Sequence, residues 1–205
     1  MARTKKRASA DGAARAAERE RVLDAAESIF AEGGFAAARM QDIAAAARTS
    51  LRSVYAVANG KGQIFRAVHG LRARDLLPRI EAVLADEARN PADSLMELIA
   101  TVATFLMDHP NFLRIALREG RAWALDAADH PLVDERHASD RLLERLFLRG
   151  IRAGAFHDED PKLMVASLRA LEQVQLAAWL SSRNRISKRA ATEAIQRQAE
   201  RLFCR

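Results

Sequence analysis

Residues 40–61 read MQDIAAAARTSLRSVYAVANGK, and this stretch decides the fold. Its first half is rich in alanine with apolar residues at helical spacing, which predicts a short helix over about residues 39–47. A polar turn follows, and Ser50 is a residue type that caps helix N-termini, so another short helix is predicted over residues 51–58. Two short helices joined by a few residues form the helix-turn-helix arrangement, whose second helix enters the major groove of DNA.

The predicted helix at 51–58 buries little by itself. Val54 faces inward, which leaves Leu51, Arg52 and Tyr55 facing outward. A solvated surface seldom places Leu and Tyr beside Arg on so short a helix. The pattern therefore favours DNA contact, although short helix pairs also occur in all-α proteins that bind no DNA.

The outward side chains differ in what they can bind. The guanidinium of Arg52 suits the paired acceptors of guanine, although it could also meet a phosphate, and Leu51 could touch a thymine methyl group. Tyr55, Thr49 and Lys61 lie at the helix flanks, where hydroxyl and ammonium groups would bind phosphates and fix the register. The predicted DNA contacts from this stretch are Thr49, Ser50, Leu51, Arg52, Ser53, Tyr55 and Lys61.

The positive charge is concentrated near the N-terminus. Residues 1–75 hold 14 of the 33 Lys and Arg and 8 of the 27 Asp and Glu, so the whole formal excess of +6 lies there and the remainder is neutral. A basic module joined to a neutral one indicates that the first part meets a polyanion. Residues 1–15, with Arg3, Lys5, Lys6 and Arg7, are expected to form a flexible basic arm that is ordered by an anion.

The composition predicts an all-α protein. Ala, Leu, Arg and Glu dominate, only 9 Gly and 5 Pro are present, and no long β-branched run occurs. We expect a cytoplasmic protein, because no apolar run approaches the ~18 residues of a membrane span and the basic N-terminus lacks the apolar core of a signal peptide. The one cysteine, Cys204, cannot form an internal disulfide.

Residues 20–68 resemble the DNA-binding region of the tetracycline-repressor-like (TetR) transcriptional regulators. Several separate motifs of that family occur in the right order, namely Gly34-Phe35, Asp42-Ile43-Ala44, Ser50, Tyr55 and Lys61. The resemblance adds Arg39 to the DNA contacts, because Ala38-Arg39 replaces the Thr-Ser pair that begins the second helix in the family.

Two departures from the family pattern bear on the geometry. Arg48 replaces the usual turn glycine, and a non-glycine residue with positive φ is uncommon, so a strained turn is expected. Ala58 replaces an aromatic residue of the core, which predicts a less stable DNA-binding region. Operator preference cannot be carried over from relatives for these reasons.

The resemblance also implies an architecture for the whole chain. It implies about nine helices: a helix-turn-helix domain over residues 16–68 and a ligand-binding and dimerisation domain over 69–205. Dimerisation is implied through the last two helices, predicted at about 161–182 and 187–203. Within the last helix, Ile195, Ala199, Leu202 and Phe203 form an apolar stripe that a lone monomer is expected to leave half exposed.

A ligand pocket is expected among the middle helices. Glu172, Gln173 and Gln175 interrupt an apolar helix, and one of them could orient a ligand, although polar residues facing solvent or a neighbouring helix explain the pattern equally well. The candidate pocket residues are Phe105, Phe112, Trp123, Phe147, Gln175 and Trp179.

Other chemistry finds little support. No HxxxH pair, Gly-rich phosphate loop or nucleophile elbow is present, so neither a metal, a cofactor nor enzyme activity is predicted.

The prediction is a dimeric regulator, in the first instance a repressor, that binds a palindromic double-stranded DNA operator and is released by a small-molecule effector. The alternative is a helical adaptor whose basic end binds an acidic protein. The sequence identifies neither the effector, nor the operator and regulated genes, nor repression as against activation.

Overall fold

The computed structural model describes the backbone of residues 2–119, 133–183 and 185–205, and side chains from residue 12 onward outside 119–138 and 184. In these ranges the chain forms nine α-helices and no strand, which confirms the all-α prediction. The helices are α1 (Ala2–Ala37), α2 (Met40–Ala46), α3 (Leu51–Val57), α4 (Lys61–Leu84), α5 (Pro91–Asp108), α6 (Pro110–Glu119), α7 (Val133–Arg152), α8 (Pro161–Ser181) and α9 (Lys188–Phe203).

The chain divides into two compact units, Met1–Arg72 and Ala73–Arg205. Their boundary lies close to the one predicted after residue 68. It falls inside α4, so this helix contributes residues to both units.

Helix α1 differs from the prediction at its start. Residues 2–15 were predicted as a flexible arm, whereas their backbone is helical here and continuous with the rest of α1. Ala and Arg recur through this segment, and both are strong helix formers. Near the other end, the Gly33-Gly34 pair predicts an end to the regular helix. Gly34 (φ 77°, ψ 170°) does break it, with a conformation open almost only to glycine.

An aromatic cluster forms the core of the first unit. The Phe65 ring packs edge-on against Phe30 and Phe35, with ring centroids 5.2 and 5.1 Å apart. An ion pair adds to this core, since the Arg72 Nε donates a 2.8 Å hydrogen bond to the buried carboxylate of Glu27. Together these contacts hold the beginning of α4 on α1.

Pro78 does not break α4. The sequence predicts a kink or break at this proline, because proline removes one hydrogen bond from a helix interior. The helix instead continues to Leu84, and Ile80 and Val83 beyond the proline are buried in the core of the second unit. Tertiary packing of this last part therefore outweighs the local cost of the proline.

The later helices begin at side-chain caps. The carboxylate of Asp160 accepts from the Lys162 N–H at the start of α8, and the Ser187 hydroxyl caps α9. Helix α5 is capped by Asn90 with Pro91 at its first position. From the sequence, Asp93 or Ser94 is predicted as this cap, because both residue types cap helices. That prediction is wrong, since Asn90 is the cap and Ser94 is fully buried and accepts a hydrogen bond from Arg149.

The apolar stripe of α9 is mostly covered within one chain. Ile195, Ala199 and Phe203 are buried in the core of the second unit, where α9 packs against α5 and α8. The expectation that a monomer leaves this stripe half exposed was therefore wrong, except at Leu202, which is 50% exposed. Helices α5 and α8 of the same chain cover this stripe, which was expected to be covered by a second copy of the chain.

Candidate functional site

The turn between α2 and α3 has the geometry of a helix-turn-helix. Ser50 caps α3 as predicted, because its hydroxyl accepts a 3.0 Å hydrogen bond from the Ser53 N–H. Arg48 takes φ 51°, the left-handed conformation, as the replacement of a turn glycine led us to expect. The turn thus places a non-glycine residue in a conformation that costs free energy.

Helix α3 buries one side chain and displays the others. Val54 is fully buried, whereas Leu51 is 36% and Tyr55 47% exposed. Arg52 is exposed as well, and within the described residues it makes no hydrogen bond or ion pair. The predicted outward face is confirmed as a surface that holds one guanidinium between an aliphatic and a phenolic side chain.

Thr49 has a partner that the sequence did not indicate. Its hydroxyl donates a 2.9 Å hydrogen bond to Oε1 of Glu18 on α1, and its N–H donates to the Ala44 carbonyl. Both donors of Thr49 are therefore in use, although it was predicted to bind phosphate. Hydrogen bonds from Thr49 and then Ser53 lower the pKa of Glu18 below its ordinary value, so this carboxylate stays charged beside α3.

Glu18 could have been noticed in the sequence. It lies one helical turn before Val22 and two before Ala26, both of which are buried, so it belongs to the side of α1 that faces the other helices. A carboxylate on such a face needs a hydrogen-bond donor. That donor is Thr49, which lies 31 residues away along the chain, so the spacing of residues in the sequence could not identify it.

Lys61 is also engaged within the protein. Its ammonium donates a 2.9 Å hydrogen bond to the carbonyl of Ala36, near the end of α1, and lies 4.7 Å from the ring centroid of Phe35. A cation at this position satisfies a carbonyl at a helix C-terminus. The ammonium has three donors, so it can hold α1 to α4 and still present a donor to an anion.

Arg39 lies immediately before α2. Its backbone is extended, its side chain makes no cap to the helix, and the residue is exposed. Ser50 is exposed and Ser53 half-buried, with their hydroxyl oxygens 3.1 Å apart. Thr49, Ser53 and Lys61 are thus half-buried, and the predicted contacts that are exposed are Arg39, Ser50, Leu51, Arg52 and Tyr55.

The second unit contains a small cavity. Its volume is about 10 Å³, roughly the space that one water occupies. It lies among α4, α5, α7 and α8. Seven apolar residues and three polar ones line it: Ile80, Leu84, Leu98, Val102, Leu142, Leu143, Leu168, Ser139, Arg169 and Glu172.

None of the five predicted pocket residues that the structure describes lines this cavity. Phe105 and Phe147 are buried, and the Phe147 ring packs against Phe156 and Phe203 at 5.4 and 5.1 Å. Trp179 is buried too, whereas Phe112 and Gln175 are half-buried. Trp123 lies outside the described residues. The polar interruption of α8 does reach the cavity, but through Glu172 and not through Gln175.

A second surface of this unit is apolar and uncovered. Val174 and Leu163 on α8 are 65% and 59% exposed, and they lie three helical turns apart on one face. Ala170 and Ala178 are exposed on the same face, and Leu202 is exposed on α9, which packs against α8. We call these five residues the α8–α9 apolar face.

The fold and the displayed α3 define a helix-turn-helix protein with a separate helical domain. Residues 22–68 match the family described as bacterial regulatory proteins, tetR family, and residues 88–202 match the tetracyclin repressor-like C-terminal domain. The chain belongs to the TetR family of transcriptional regulators.

Similar proteins of known name or structure agree with this assignment. The chain is 30% identical over 121 residues to the HTH-type transcriptional repressor SCO4008 of Streptomyces coelicolor, a match that covers 59% of each protein. It superposes on the fatty acid degradation regulator FadR from Bacillus halodurans with a TM-score of 0.74, at 18% identity, covering 89% of this chain and 94% of that one. The structure of AibR in complex with isovaleryl coenzyme A and operator DNA gives 0.71 at 19% identity, covering 91% and 98%.

Membrane spans and metal-binding clusters are both absent from the residues that the structure describes. No helix there is long and apolar enough to cross a membrane. Over the same part of the chain, no three His, Cys, Asp or Glu side chains are grouped so that they could hold a metal ion.

Proposed function

We propose that this regulator is a repressor, which binds a palindromic DNA operator as a dimer and is released by a small molecule. The observation that carries the proposal is the outward face of α3, where Leu51, Arg52 and Tyr55 are exposed on a helix fixed by buried Val54 and the Ser50 cap. A guanidinium held on a rigid short helix suits base reading in the major groove. Such a protein acts in the cytoplasm, where bacterial DNA is found.

The α8–α9 apolar face supports the dimer. Exposed Val174, Leu163 and Leu202 would be covered if two copies met through the same face, which is the isologous contact of a two-fold dimer. A two-fold dimer presents two α3 helices, so its operator is an inverted repeat.

The cavity of the second unit supports ligand release. Ile80 and Leu84 of α4 line it, and α4 begins at Lys61, directly after the helix-turn-helix. A molecule that enters the cavity would displace α4 and so change the separation of the two α3 helices in the dimer. Coupling of this kind is typically about 1–3 kcal/mol, which switches occupancy when the protein works near its dissociation constant.

Selection of bound duplexes from a random DNA pool tests the operator claim. The full chain should enrich an inverted repeat, with two protected half-sites about one helical turn apart, and binding should weaken steeply with salt. A duplex that carries only one half-site is the matched control and should bind far more weakly. Enrichment of no sequence, or of one unsymmetrical site, would contradict the proposal and favour the adaptor alternative.

A further inference from the structure

The cavity of the second unit has a polar end inside an apolar wall. Seven of its ten lining residues are apolar, and Arg169 is the one basic residue among the ten. Glu172, one turn further along α8, is 7% exposed. The Arg169 side chain is 30% exposed, so the polar end reaches solvent there, whereas burying the carboxyl group of Glu172 costs free energy. The polar end therefore calls for an explanation beyond core packing.

Arg169 is held without a close carboxylate partner. Its tightest hydrogen bond, 2.7 Å, goes to the neutral hydroxyl of Ser139. The carboxylates of Glu172 and Asp140 lie 3.4 and 3.5 Å away, one contact each. Arginine pairs with carboxylates at about 2.7–2.9 Å, often through two parallel hydrogen bonds. The guanidinium thus retains capacity for a closer, two-point anionic partner.

Burial also affects the charge on Glu172. Desolvation raises the pKa of this carboxyl, and the nearby Arg169 only partly offsets it. A raised pKa shifts this carboxyl toward its neutral form, which competes less for the guanidinium than a carboxylate does. Asp140 does not line the cavity, and its side chain is 28% exposed, against 30% for Arg169. Arg169 is the one basic group among the ten residues that line the cavity.

We infer that this cavity binds an amphipathic carboxylate, whose head group pairs with Arg169 while its hydrocarbon chain lies among Ile80, Leu84 and Leu98. The inference rests on the proposed function only in treating this molecule as the effector. The cavity is too small for such a chain as it stands, so binding must part the apolar side chains. Since Ile80 and Leu84 belong to α4, the same movement supplies the displacement that would release DNA.

Matched sets of ligands test the head group. Butanoate, octanoate and dodecanoate would be titrated into the full chain by calorimetry beside the amines and alcohols of the same chain lengths. We expect at least one carboxylate to bind at least ten times more tightly than its amine and alcohol partners. Equal affinity, no carboxylate binding, or tighter amine binding would overturn the inference, the last because it would assign the head group to Glu172 or Asp140.

Two variants of the polar end sharpen the test. Arg169→Gln should lose at least ten-fold in affinity for the best carboxylate, whereas Glu172→Gln should retain it, because glutamine donates like the neutral acid. Arg145→Gln, on an exposed position of α7, is the control for loss of a positive charge. Melting curves of each variant show whether it is folded. If Arg169→Gln does not fold, Glu172→Gln becomes the test of the inference. Loss of carboxylate binding in Glu172→Gln would contradict it.

A further measurement separates failure of the proposed function from failure of the head-group assignment. Operator binding would be measured with and without the bound carboxylate. Binding of the carboxylate at Arg169 without any change in operator affinity would refute ligand release and leave the head-group assignment intact. Release of DNA by a molecule whose binding does not depend on Arg169 would support ligand release and refute the head-group assignment.

Discussion

If two copies meet through the α8–α9 apolar face, the effect of Val174→Glu on dimerisation can be estimated. Val174 is 65% exposed in one chain, so the substitution removes no core contact and should leave the monomer folded. In a two-fold dimer the change occurs twice. Burying one unpaired carboxylate costs about 3 kcal/mol, so two cost about 6 kcal/mol, which weakens dimerisation roughly 10⁴-fold.

Light scattering after size exclusion and sedimentation at micromolar concentration would measure this change. Wild-type protein should be dimeric and Val174→Glu monomeric, with unchanged helix content by circular dichroism. Leu148→Glu is the matched control, because Leu148 is an exposed leucine on α7, outside the proposed face. A Val174→Glu protein that stays dimeric, or a Leu148→Glu protein that dissociates equally, would refute the reasoning.

Three other predictions concern the turn, the buried carboxyl and the N-terminus. Arg48→Gly should be more stable than Arg48→Ala by roughly 1 kcal/mol in urea denaturation, since only glycine relieves the φ of 51°; equal stability would contradict the strained turn. The raised pKa of Glu172 means that the folded chain holds this proton more tightly than the unfolded chain. Stability should therefore fall as pH rises through the folded pKa, and Glu172→Gln should show a smaller fall in melting temperature between about pH 4 and pH 8. Deleting residues 2–8 should reduce the log–log salt slope of DNA binding by about 0.9 for each lost phosphate contact, whereas an unchanged slope would exclude the segment from binding.

Features set by local chemistry were predictable from the sequence. The Ser50 cap and the break at Gly34 depend on one residue and its neighbours, and both occur where expected. The outward face of α3 followed from helical periodicity around Val54. Each of these rests on contacts within about one helical turn.

Features set by distant partners were not predictable. The apolar stripe of α9 showed that Ile195 must be covered, but periodicity does not say whether α5 or a second copy covers it. Similarly, the bond from Thr49 to Glu18 spans 31 residues, and continuation of α4 past Pro78 depends on packing in the second unit. The predicted pocket residues stay untested for a related reason, since aromatic residues at helical spacing fill the core as readily as they line a pocket.

The most direct test of the central claim compares Arg52→Ala and Lys61→Ala on a library of variants of the selected operator. Arg52→Ala should cost roughly 1–3 kcal/mol on the preferred operator and relax the preference at one base pair in each half-site. Lys61→Ala should weaken binding to all sequences alike, since its ammonium lies against the Ala36 carbonyl and the Phe35 ring, where it is expected to meet a phosphate and not a base edge. Uniform loss of affinity in Arg52→Ala, with the base preferences unchanged, would contradict the claim that α3 reads the operator.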